Sequence, residues 1–197
     1  APDVEAYAAR YRGAAKLQRL KHIAKCARER GDGATELRAL KVACDLLRAE
    51  PGSQEGHLSA TGEYRALVEA VAGRLGDAHA AVDEEWCDAE DRRAQQALER
   101  LEAELSSYKA NGVKESVRCG YHALGEHHAA RGDLAAAFKA FARTRDYCTT
   151  PAHIFHMCLA QIRVALAMGN FVHVLNYVTK AENSPQLGGA RGAGGEP

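Results

Sequence analysis

Nine histidines and six cysteines give this chain its widest chemical range. His122, His127 and His128 stand near Cys119, and His153, His156 and Cys158 stand near Cys148. His153 and His156 have the helical spacing that lets two rings share a face. A zinc site would need a third and a fourth ligand from elsewhere, and no HExxH accompanies them. The plain expectation is helix-surface histidine and no metal. The cysteines fall at 26, 44, 87, 119, 148 and 158. No CxxC occurs, so the short spacing of a zinc ribbon or a redox dithiol is missing. A chain of 197 residues with a proper core needs no disulfide framework, so six free thiols in a reducing compartment are expected.

Covalent catalysis finds no better footing. There is no GxSxG elbow and no glycine-rich phosphate loop following a strand. Gly188-Gly189-x-x-Gly192 lies in a tail with no helix N-terminus to bind an anion. Glu84-Glu85 reads as a solvated helix start, where carboxylates favour the dipole. No catalytic residue, cofactor or metal is expected, and the chain reads as a non-enzyme.

The elements that would position any site are helical. Alanine occurs 39 times, whereas Val, Ile and Thr together number 20. Alanine loses no side-chain entropy in a helix, while β-branched residues suit strands. The 26 basic and 26 acidic side chains cancel, which argues against a nucleic-acid binder driven by counterion release. No apolar run is long enough to span a membrane. The chain opens at Ala1 with no signal-peptide pattern, as a piece of something longer would.

Residues 3–30 predict a helix or helix pair with Tyr7, Tyr11, Leu17, Leu20, Ile23, Ala24 and Ala27 on its stripe, and Gly13 as a possible bend. Gly31-Asp32-Gly33 stops it. A second helix from Ala34 carries Leu37, Leu40, Ala43, Cys44 and Leu47, and ends at Pro51-Gly52-Ser53. Residues 53–62 predict a loop with a short helix. Tyr64, Leu67, Val68, Val71 and Leu75 mark a third helix that Gly76 closes. From Asp77 to Tyr108 one long helix is expected. Val82, Trp86 and Ala89 form its early stripe, and Leu98, Leu101, Leu105 and Tyr108 its later one. Asn111-Gly112 breaks it.

The repeat signal follows. Tyr121-x-x-Leu124-Gly125-x-x-His128, then Gly132, Ala137, Phe141 and Pro151, match the tetratricopeptide pattern. Leu124 fills the gap between antiparallel helices, Gly125 lets them approach, and Gly132-Asp133 makes the turn. A period of 37 carries Gly132-Asp133 to Gly169-Asn170, Ala137 to Val174, Phe141 to Val178 and Thr144 to Ala181. The fold expected is an all-α, right-handed α-solenoid of tetratricopeptide-like hairpins, with a long helix near 77–108. Residues 1–187 form the helical-repeat domain, and Gly188–Pro197 a flexible linker.

Two binding surfaces suggest themselves. By register, Cys119, His122, Glu126 and Ala129 line the concave side of the hairpins. Chaperone adaptors built on this repeat hold a terminal carboxylate with Lys and Asn there, and those residues are missing. The second is a docking cluster of Arg143, Arg145 and Asp146 at the end of a return helix.

Several stretches resemble the subunit-one family of the COP nine (constitutive photomorphogenesis) signalosome. They are Ser106–Lys109, Lys114–Arg118, Gly132–Leu134, Arg143–Thr150, His153–Cys158 and Tyr177-Val178-x-Lys180-Ala181-Glu182. Tyr11-x-Gly13 and Arg19-Leu20-x-x-Ile23-Ala24-x-x-Ala27 resemble it less closely. Trp86-Cys87-x-Ala89 and Asp91-Arg92-Arg93 look more like the plant members. Ala14-Ala15, the loop 51–62 and the glycine-rich tail depart from the pattern. The resemblance implies a non-catalytic scaffold in an assembly that removes a ubiquitin-like modifier from cullins and so controls cullin-RING ubiquitin ligases. In plants that assembly represses photomorphogenesis. It further implies a nuclear and cytoplasmic location, and partners among the other signalosome subunits and regulatory or ubiquitin-ligase proteins, with no nucleic acid or membrane. The winged-helix PCI module that follows the repeats in such subunits is not expected in this chain. The paralogous proteasome-lid subunit is the nearest rival, a metal-dependent enzyme using the His/Cys-rich helices the rival of another class.

Overall fold

A computed structural model describes residues 3–49, 58–75 and 81–184. The described residues form α-helices with no strand, as the composition demands: α1 (Val4–Ala8), α2 (Gly13–Glu29), α3 (Gly33–Leu47), α4 (Thr61–Leu75), α5 (Glu84–Asn111), α6 (Lys114–Arg131), α7 (Leu134–Arg143), α8 (Pro151–Ala167) and α9 (Phe171–Glu182). A 3-10 turn over Thr144–Tyr147 follows α7. The expectations placed on Pro51-Gly52-Ser53, Gly76, the first residues of the long helix and the tail 188–197 lie outside the described residues. None of the described helices is long and apolar enough to cross a membrane.

The chain divides into two compact units. The first takes residues 3–94 with Ala130–Gly132, and the second takes Gln95–Ala129 and Asp133 onward. In the first, α2 and α3 pack through the predicted stripes. Leu20 and Leu47 are fully buried, with Leu17, Ala24, Leu40 and Ala43 around them. Tyr64, Leu67, Val68 and Val71 of α4 and Cys87 of α5 complete that core. Tyr64 meets Trp86 edge to face at 5.0 Å.

In the second unit, Leu105 of α5 packs with Val117 and Leu124 of α6, and Leu98, Leu101 and Tyr108 lie against them. Ala137 and Phe141 of α7 pack with Ala160 and Val164 of α8. Met157 and Cys158 close on Ala181 of α9.

The long helix begins later than the sequence predicts. Residues 81–83 are not helical, and Asp83 accepts from the Trp86 backbone N–H at 3.0 Å. An aspartate three residues before an N–H satisfies an orphan donor, so it starts the helix there, with Glu84 and Glu85 in the first turn. Val82 packs against the core from outside the helix.

One turn recurs three times. Gly31, Gly132 and Gly169 adopt φ of +73°, +81° and +69°. The next residue donates its N–H back five positions at 2.9 Å each time: Asp32 to Ala27, Asp133 to His128 and Asn170 to Ala165. That left-handed glycine and six-to-one bond close the preceding helix. The same Asp or Asn then caps the following one, through the Thr35, Ala136 and His173 N–H groups. The hairpin turn of the repeats therefore also joins α2 to α3, where the sequence shows no 37-residue register.

Candidate functional site

Two clefts mark the second unit. The first runs between α6 and α8, with a volume of about 700 Å³, and is lined by Arg118, Cys119, His122, Ala123, His153, His156, Leu159, Ile162 and Arg163. Residues 118, 119, 122, 123 and 126 recur on one side of a 3.6-residue helix, so α6 presents them together. Cys119 and His122 line the groove, and Glu126 reaches its wall. Arg163 Nη2 donates to Glu126 Oε1 at 2.7 Å. His122 Nε2 lies 3.6 Å from the same carboxylate oxygen.

At the other end of this groove Arg118 Nε donates to Glu115 Oε2 at 2.9 Å, and His153 Nε2 lies 3.7 Å from that oxygen. The Arg118 hydrogen bonds hold the Glu115 carboxyl down at about 2, against a smaller opposing effect of burial. Burial lowers His122, as do the nearby cations Arg163 and Arg118, while Glu126 pulls the other way. Burial raises the Cys119 thiol, as does its hydrogen bond to Glu115, which keeps it from the thiolate form a nucleophile needs.

His153 and His156 line the same groove, but His153 is engaged with Glu115 and Thr149 rather than with a second histidine. Among the described residues no three His, Cys, Asp or Glu side chains converge on a point where one ion could sit. All six cysteines are free thiols.

The second cleft, of about 900 Å³, lies where α7, the 3-10 turn, α8 and α9 meet. Arg143, Arg145 and Asp146 all line it. Arg143 ends α7, whereas Arg145 and Asp146 stand on the 3-10 turn, so the cluster spans two elements and not one helix end. Lys139 and Lys180 join them, over an apolar floor that includes Ile154, Met157 and Tyr177.

Sequence reasoning missed Glu115, Arg118 and Arg163 in the first cleft, and Lys139, Tyr177 and Lys180 in the second. The signal was present in the 37-residue period. Glu126 advanced by one repeat is Arg163, and the two form an ion pair. Arg143 advanced by one repeat is Lys180, and both line the second cleft.

The second unit thus carries two open grooves, one walled by ion pairs and one by a cluster of cations, a form suited to holding another chain. The sequence pattern of the 26S proteasome subunit RPN7 family matches residues 83–192. Over 185 residues the chain is 44% identical to COP9 signalosome complex subunit 1 of Arabidopsis thaliana, covering 93% of this chain and 39% of that protein. It is 30% identical to COP9 signalosome complex subunit 1b of Drosophila melanogaster, covering 94% and 42%. It is 33% identical to COP9 signalosome complex subunit 1 of Emericella nidulans, covering 96% and 38%. The chain spans about two fifths of the length of these relatives. With more than half of its residues inside the family pattern, this chain belongs to the 26S proteasome subunit RPN7 family, and the relatives it resembles there are COP9 signalosome subunits 1.

Proposed function

We propose that this chain is a non-catalytic scaffold domain of a COP9 signalosome, holding other subunits and regulatory or ubiquitin-ligase proteins on its helical surfaces. The carrying observation is the 44% identity to the Arabidopsis subunit across 93% of the chain. The assembly it would serve removes a ubiquitin-like modifier from cullins, regulates cullin-RING ligases and, in plants, represses photomorphogenesis, in nucleus and cytoplasm. His122 and Glu126 on the α6–α8 groove, and Arg143, Arg145 and Asp146 on the second cleft, are the docking residues in this reading.

Hairpins of this kind act by rigid presentation. Short glycine turns and close helix packing fix the spacing of surface side chains, so a partner meets a preformed pattern and little ordering entropy is lost on binding. Affinity purification of the full-length parent protein, followed by mass spectrometry, tests the proposal. Recovery of signalosome subunits supports it. Recovery of proteasome-lid subunits instead would assign the chain to the lid paralogue and overturn it.

A further inference from the structure

The second cleft concentrates positive charge on a chain whose formal net charge is zero. Lys139, Arg143, Arg145 and Lys180 face it, against the single carboxylate of Asp146. The pattern differs from the α6–α8 groove, where Arg118 and Arg163 are neutralised by Glu115 and Glu126 at hydrogen-bond distance. Among the described residues none of the four cations of the second cleft is in an ion pair. Two of them, Arg143 and Lys180, stand in the last turns of α7 and α9, where the helix dipole favours a cation. Lys139, a turn earlier on α7, has no such reason to be there.

The floor is apolar. Met157 is buried, Ile154 is 42% exposed, and Tyr177 is half-buried. The Lys180 ammonium lies 4.9 Å from the centre of the Tyr177 ring and so covers a face of it. Single-stranded nucleic acid binds by stacking successive bases on several aromatic rings, and Tyr177 is the single aromatic side chain among the described residues that line this cleft. Thr179 and Asn183 add polar groups to the rim. A basic rim over an apolar floor suits a chain that carries carboxylates and an occasional aliphatic side chain. The guanidinium forks of Arg143 and Arg145 match carboxylates in two-point geometry.

We infer that the cleft bounded by Lys139, Arg143, Arg145 and Lys180 is a docking site for an acidic segment of a partner protein, with an aliphatic residue of that segment seated on Ile154, Met157 and Tyr177. This rests on the scaffold reading only in giving the domain partners. The cleft can fail while the assembly assignment stands, because the two have separate readouts.

The test is fluorescence anisotropy of the whole chain with a short fluorescein-labelled peptide of glutamates interrupted by single leucines. Arg143→Ala with Arg145→Ala should weaken binding at least about tenfold, since two charge-assisted contacts are removed. Lys139→Glu, at an exposed position outside the core, should weaken it in the same direction and serves if the double variant is poorly folded. Binding should also fall as salt rises past about 0.1 M, where the Debye length is about 10 Å. Three results would overturn the inference: no binding of the peptide by the unaltered chain, equal loss with Arg163→Ala in the other groove, or tighter binding of a single-stranded oligonucleotide that displaces the peptide. Recovery of signalosome subunits alongside any of these would leave the scaffold assignment intact and remove the cleft alone.

Discussion

Gly125 lies under the ring of Phe141. A Cβ built on Gly125 would stand 2.5 Å from Phe141 Cε1 and 2.7 Å from Cζ. Phe141 is 1% exposed, so its ring has no room to turn away. Gly125→Ala should therefore destabilise by about 1–3 kcal/mol through overpacking. Gly120→Ala should cost less, because its Cβ would meet only the Leu105 Cδ1 end at 3.0 Å and Tyr108 at 3.3 Å. Phe141→Ala should cost about 3–5 kcal/mol. In a double-mutant cycle by denaturant unfolding, Gly125→Ala should cost almost nothing once Phe141 is alanine. Additive penalties would mean that the two do not share this contact.

The three glycine–Asp/Asn turns make a second expectation. Asp133→Ala removes the bond from the Ala136 N–H, and Asn170→Ala the bond from the His173 N–H. Each should cost about 1 kcal/mol, with serine at either position restoring most of it. Thermal unfolding of the four variants checks this. An alanine variant as stable as its serine counterpart would show that the side-chain cap contributes nothing.

Acid should loosen the end of the α6–α8 groove. Glu115 titrates at about 2 in the fold, below the ordinary value of 4.5. Its contribution is complete above about 4.5 and is lost as the pH falls toward 2, because the unfolded chain takes up the proton first. The carboxylate is half exposed, so the effect is that of a screened surface pair, under about 1 kcal/mol. Stability measured against pH should show this acid limb shrinking in Glu115→Gln and unchanged in Glu99→Gln.

His122 should titrate below its ordinary value of 6.5. Burial and the charges of Arg163 and Arg118 disfavour its imidazolium, and only Glu126 supports it. Its contribution to stability is complete above the ordinary value and declines as the pH falls below it, since the unfolded chain protonates first. Glu126→Gln should push the midpoint further down. NMR titration of the ring protons reads this directly, and an upward move in that variant would contradict the geometry.

The face of α9 provides a negative control. Phe171, Val172 and Leu175 are 65%, 69% and 67% exposed. One repeat earlier, Leu134 and Phe138 occupy the positions of Phe171 and Leu175, and there they pack on the core of α7 and α8. Phe138→Ala should lower the melting temperature, whereas Phe171→Ser and Leu175→Ser should leave it within the scatter of surface changes, about ±0.5 kcal/mol. A large loss in either serine variant would mean that these side chains are covered in solution.

Most of the helices and their inner faces were legible because burial of a stripe has a period that survives in the sequence. Leu20, Leu47, Leu124, Ala137 and Phe141 are buried where the spacing put them. Periodicity places the onset of α5 too early, because it says nothing about which residue supplies the first cap, and Asp83 does. The third glycine turn at Gly31-Asp32 went unrecognised as a repeat because the two units do not share a register, although the dipeptide itself was in view. Polar residues in the core carry no periodic signal at all. Glu36 is buried with Arg28 at 2.7 Å, and fully buried Gln161 donates to the Phe138 carbonyl at 3.1 Å. Nothing in their neighbours distinguishes them from solvated residues.

Helicity, the places where the hairpins turn and the side chains that fill them follow from the order of residues alone, because those choices rest on local backbone freedom and on the spacing of apolar residues. Which charges are satisfied is fixed by the folded arrangement. Arg163 is neutralised by a carboxylate 37 positions away, while Arg143 and Lys180, which share a cleft with Asp146, form no ion pair among the described residues. An ion pair forms where two opposite charges meet in space within a few ångströms, which an interval along the chain does not state.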